Sequence, residues 1–174
     1  LFNNGTLTLT NSTVSDNSAT GAGGGLNNLG GVVISKNTII ALNMAASNPD
    51  LNGSLTSAGF NLIGDNSGAV ITPAQFSDQI GTAGLPIDPF LGPLQSNGGP
   101  TFTQALLVDS PAIDAGNSSG SVADQRGLPR PDDDPAIANG DGSDGSDIGA
   151  FELQSAKSPT PTPTPTKLGN ISTR

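Results

Sequence analysis

The chain has 174 residues, 33% of them apolar and 12% charged, with six Phe and no Trp, Tyr, Cys or His. That inventory is too thin in large apolar side chains for a thick globular core, and too low in charge for a charge-extended disordered chain. A net charge of −9 excludes the positive stripe of a nucleic-acid binder; the absent Cys and His exclude disulfides, thiolate metal sites and the usual general base.

Gly, Asn, Ser and Thr fill the gap, and these are residues of tight turns and short strands, so the expected class is all-β. The first element lies in Gly5–Val14, where Thr6, Thr8 and Thr10 alternate with Leu7 and Leu9. Such alternation places the leucines on one face of a strand and the threonines on the other. The pattern returns at Gly31–Ile40, with Asn37 26 residues after Asn11, Ile40 after Val14 and Asn43 after Asn17. A weaker third copy is Phe60–Asn66, in which Asn61 follows Asn37 by 24. Gly21–Gly25 and Asn52-Gly53-Ser54 separate the copies.

A strand-and-turn unit of about 25 residues buries its leucines only by stacking on the next unit, at about 4.8 Å per rung. Parallel β rungs are therefore predicted over residues 1–70. Asparagines recurring at one place in the rung can form an amide ladder, and Asn11, Asn37 and Asn61 are the expected members. Lys36 falls on the register of Thr10, an outward position. The threonine run does not extend to the next rung, where Val32, Ile34 and Lys36 take its place, so a threonine array of the ice-binding kind is excluded.

Residues 71–153 are rich in Pro, Gly and Asp and keep short apolar runs, as in Ala105–Val108 and Ile148–Phe151. An open stack end exposes apolar side chains and unpaired strand edges, so this region is expected to be a loop-rich C-terminal cap of the same domain. Residues 154–167 hold alternating Pro and Thr, which favours extended polyproline II and a semi-rigid linker. Residues 168–174 read as the truncated start of a further module. The chain opens at Leu1 in mid-pattern, as a fragment with upstream rungs would. No apolar run approaches the roughly 20 residues of a membrane span.

The stretch Asn4–Ser15 resembles the rungs of bacterial surface proteins of the polymorphic-outer-membrane-protein type. The region beyond it resembles the C-terminal part called the choice-of-anchor Q domain. The matching residues are Gly59–Asp65, Asp88–Leu94, Asn97–Thr101, Ser110–Gly116, Asp124–Gly127 and Asp147–Glu152. The resemblance spans roughly residues 1–153. It implies a right-handed parallel β-helix on an exported, cell-surface protein, and it implies no reaction.

Lyases and hydrolases built on β-helices need paired carboxylates, or an acidic calcium site with a nearby base, on one face. The predicted rungs offer only Asp16, Asp50, Asp65 and Lys36, so no catalytic residue is assigned. Asp141, Asp144 and Asp147 are calcium candidates, as hard oxygen ligands on a Gly-rich loop, although Ser146 stands where an EF-hand loop from Asp141 requires glycine. Arg126 and Arg130 lie in an Asp-rich segment, where pairing with Asp124 or Asp114 would hold the cap together. An acidic sugar is the rival ligand for the two arginines. The expected function is a non-catalytic structural or adhesive segment of a secreted or surface protein, with a polysaccharide or cell-surface glycan as partner. The alternative is the C-terminal part of a polysaccharide-active enzyme whose catalytic rungs lie upstream.

Overall fold

A computed structural model describes residues 1–155. The Pro-Thr linker and the segment 168–174 lie outside the described residues, apart from the first two linker positions. Every regular element in the described range is a strand. In chain order these are β1 (Phe2–Asn3), β2 (Thr6–Thr10), β3 (Thr13–Val14), β4 (Leu26–Asn28) and β5 (Val32–Lys36). There follow β6 (Ile39–Ile40), β7 (Leu51–Ser57), β8 (Leu62–Ile63), β9 (Ala69–Ile71) and β10 (Gln79–Ile80).

All pairings between these strands are parallel. One sheet runs β1-β4-β7-β5-β2, with β9 also paired to β7; the other runs β10-β8-β6-β3. β7 joins the two halves of the larger sheet because it continues through Gly53, where the earlier coils break into two strands.

The right-handed parallel β-helix with an end cap is corrected here. The chain forms parallel sheets with a half-barrel curl, and a right-handed β-helix is not shown. One physical reason is a shrinking repeat. Val32 pairs with Thr6 across 26 residues, Thr56 with Ile34 across 22, and Ala69 with Gly53 across 16. The smaller sheet shortens in the same way: Ile39 follows Thr13 by 26, Leu62 follows Ile39 by 23, and Gln79 follows Leu62 by 17. Coils of unequal length cannot stack as a uniform array, so the stack tapers.

The second reason lies in the smaller sheet, which is apolar on both faces. Val14, Ile40 and Ile63 point inward, to a core with Leu26, Val33, Leu51 and Leu55. Their neighbours Ile39 and Leu62 point outward and are covered by Leu106, Ala112, Ile113, Ile148 and Phe151. The loop-rich region thus packs along the flank of the stack, from Thr13 in the first coil to Gln79 in the last. Full burial of each of these Leu and Ile side chains contributes about 1.5–3 kcal/mol, and the flank supplies one of the two cores.

Candidate functional site

The flank is held by two arginines on the loop 124–132 and by the chain segment 147–155 that leaves the fold. Arg130 donates from Nε to Glu152 Oε2 at 2.7 Å, and from its two terminal nitrogens to the carbonyls of Gly149 at 2.8 Å and Phe151 at 2.9 Å. Glu152 accepts two further bonds, from the amides of Asp132 at 2.8 Å and Asp147 at 3.0 Å. Arg126 donates from Nε to Asp124 Oδ2 at 2.8 Å and lies 3.6 Å from the centroid of the Phe151 ring. A terminal nitrogen of Arg126 also donates to the Glu152 carbonyl.

Of the expected arginine partners, Asp124 pairs with Arg126, whereas Asp114 accepts the Asp134 amide instead. Sequence reasoning missed Glu152. The available signal was a carboxylate closing the apolar run Ile148–Phe151, where its charge had to find a buried cation.

Asp147 is buried beside this pair. Its Oδ1 accepts the Asp114 amide at 2.9 Å and its Oδ2 accepts the Leu153 amide. Burial, reinforced by the charge of Glu152, pushes its carboxyl up to about 7. Burial also raises Glu152, against the opposing charge of Arg130, and raises Asp114, with help from the charges of Asp132–Asp134. For Asp144, burial is outweighed by bonds from the Ser118 hydroxyl and from the Ser118 and Ser146 amides, and the group is held below its ordinary value.

The three calcium candidates are thus in different settings. Asp147 is buried against backbone amides, Asp144 binds Ser118 and Ser146, and Asp141 is exposed. Among the described residues no group of three metal-ligating side chains is arranged to hold an ion. The asparagine positions also separate. Asn37 donates to Asn11 Oδ1 at 2.9 Å, and it also bonds the flank through the Asp147 carbonyl and the Asn117 amide. Asn61 bonds Ser35, Ser57 and Asp78. The register explains the split: the corner two residues before the strand falls at Asn11, Asn37 and Phe60, all at positive φ, so Asn61 is one residue out of line. Further inter-coil amide pairs are Asn3 with Asn28 and Asn52 with Asn27, absent from the sequence reading, and Asn17 with Asn43, which the 26-residue repeat aligns.

Where the loop 121–125 approaches the first coil, the two leave a cleft of about 550 Å³. Thr10, Asn11, Ser12 and Thr13 form one wall, and Ser121 and Gln125 form the other. A second depression of about 130 Å³ shares Thr13, Gln125 and Ala150 with it and reaches Phe102. No family model, curated protein or solved structure matches the chain. The geometry therefore carries the functional reading. Asp124 and Arg130 border the cleft, but Asp124 is bonded to Arg126 and to backbone amides, and Arg130 to Glu152 and two carbonyls. What the cleft presents is hydroxyls and amides, suited to hydrogen bonding rather than to proton transfer.

Proposed function

We propose that this chain is a non-catalytic structural or adhesive segment of a secreted or cell-surface protein. The observation that carries the reading is the buried clamp at the chain exit. Arg130, Arg126 and Asp147 grip the backbone of residues 149–153 directly before the Pro-Thr segment. The clamp ties residues 149–153 to the loop 124–132 and to the flank. The resemblance to surface proteins of the polymorphic-outer-membrane-protein and choice-of-anchor Q type supports the same setting, as does the net charge of −9, which favours solubility outside a membrane.

The cleft supports the non-catalytic half of the reading. Its bordering acid and base are fixed in internal bonds, and its walls are neutral. The test is incubation of the purified chain with a panel of plant and bacterial polysaccharides, with and without calcium. Release of reducing or unsaturated sugar ends is followed. No release is expected. Release that survives repurification and is lost on substituting Asp124 would overturn the reading.

A further inference from the structure

We infer that the cleft and the depression beside it form one groove, which binds an uncharged saccharide chain with Phe102 as its stacking platform. The inference rests on the non-catalytic reading above and names the ligand class. Its first support is adjacency: Thr13, Ala150 and Gln125, hydrogen-bonded in series, line both depressions, one of which carries Thr10 and the other Phe102.

The second support is the aromatic residue at its end. Of the six Phe, Phe2, Phe76, Phe90 and Phe102 are exposed, and among these Phe102 is the one at the rim of the groove. An aromatic face held in the open next to amides and hydroxyls suits a pyranose ring, which has apolar C–H faces and a polar edge. The Thr10 hydroxyl and the Gln125 side-chain carbonyl have no hydrogen-bond partner among the described residues, which leaves a donor and an acceptor for sugar hydroxyls.

The third support is charge. Asp124 is neutralised by Arg126, and Arg130 by Glu152, so the groove presents no free cation. A uronate chain would find no free cation in the lining itself, Lys36 lying one coil away from Thr10, and would meet a chain of net charge −9. The donors of Arg126 and Arg130 that an acidic sugar would need are engaged within the flank.

The experiment is isothermal titration of the 174-residue chain with cellohexaose, xylohexaose and mannohexaose, and with hexagalacturonate as the charged arm. At least one neutral hexasaccharide is expected to bind, with hexagalacturonate at least tenfold weaker. Phe102→Ala, at an exposed position, is expected to lose at least tenfold in affinity with an unchanged melting curve. Phe76→Ala, at a position 89% exposed and outside the groove, is expected to change nothing. Gln125→Ala is expected to weaken binding severalfold. Preferential binding of hexagalacturonate, binding unaffected by Phe102→Ala, or no binding of any neutral hexasaccharide at millimolar concentration would each overturn the inference. None of these outcomes involves sugar-end release, so the non-catalytic reading would survive the failure of this one.

Discussion

Arg130 Nε and Glu152 Oε2 lie 2.7 Å apart, with both side chains wholly shielded from solvent. An isolated buried ion pair can be exchanged for apolar residues at little cost, but this one is also the sole partner of several backbone groups. Glu152→Gln keeps the shape and leaves the guanidinium uncompensated, so a loss of about 3–5 kcal/mol is expected in urea unfolding. The double variant Arg130→Met with Glu152→Leu removes both charges, yet strands the carbonyls of Gly149 and Phe151 and the amide of Asp132. It is therefore expected to remain at least about 2 kcal/mol below the parent. Parental stability in the double variant would show that the charges, and not the backbone bonds they serve, matter at this point.

Asp147 gives the fold a pH dependence of definite sign. Its carboxyl stands at about 7 when folded, against an ordinary 3.8 when unfolded. Between those values the native chain holds a proton that the unfolded chain has released, so stability falls as pH rises through the window and levels off above it. The slope in mid-window approaches about 1.4 kcal/mol per pH unit for one such group. Glu152, Asp114 and Asp50, all raised by burial, act in the same direction, whereas Asp144, held low, loses its contribution as pH falls. Urea midpoints are expected to drop from pH 4 to pH 7. Asp147→Asn should flatten that trend while lowering stability throughout, since an amide accepts only one of the two backbone bonds. A midpoint that rises over the same range would contradict the assignment.

Much of the strand stack was legible in the sequence. Alternation in Thr6–Thr10 and its return 26 residues later locate β2, β3, β5 and β6 and their register. The curl was not legible, because the coils shorten through Gly53 and the third copy slips by one residue at Phe60 and Asn61, a change that side-chain identity disguises. The placement of the loop-rich region was hidden for a related reason. Ile39-Ile40 and Leu62-Ile63 are apolar dipeptides, which bury both faces of the sheet, and a flank over the outer face is what that demands. In the site, the arginines stood out by their rarity. The cleft is made of Thr, Asn, Ser and Gln, which are scattered throughout the chain, and only the contact of loop 121–125 with the first coil distinguishes these from the rest.

Gly149 marks a close approach between flank and stack. Its φ is +104°, and a Cβ there would sit 2.8 Å from Thr13 Oγ1 and 2.9 Å from Ile39 Cδ1. Gly149→Ala combines backbone strain with a clash against a strand residue, and a loss of about 2–4 kcal/mol is expected in urea unfolding. The same variant should weaken saccharide binding, because the Ala150 amide that bonds Thr13 lines the groove. An unchanged unfolding midpoint would mean that the flank can move away from the sheet without cost.

Asn37 gives the sharpest comparison among the asparagines. It is fully buried and joins three parts of the molecule: Asn11 of the first coil, the Asp147 carbonyl and the Asn117 amide. Removing its side chain leaves that buried carbonyl and that amide without a partner, whereas removing Asn11 leaves one donor of Asn37 unused and frees the part-buried Ser118 carbonyl. Asn37→Ala is therefore expected to cost about 2–4 kcal/mol and Asn11→Ala about 1 kcal/mol. Asn37 holds a φ of +49° and Asn11 one of +47°, which alanine tolerates poorly, so that strain is common to both alanine variants. Asn37→Gly separates the two effects: it relieves the backbone strain and still forfeits the three bonds. If the glycine variant recovers most of the parental stability, the corner conformation is what the asparagine supplies. If it stays close to the alanine variant, the bonds joining coil to flank are what hold the two cores together.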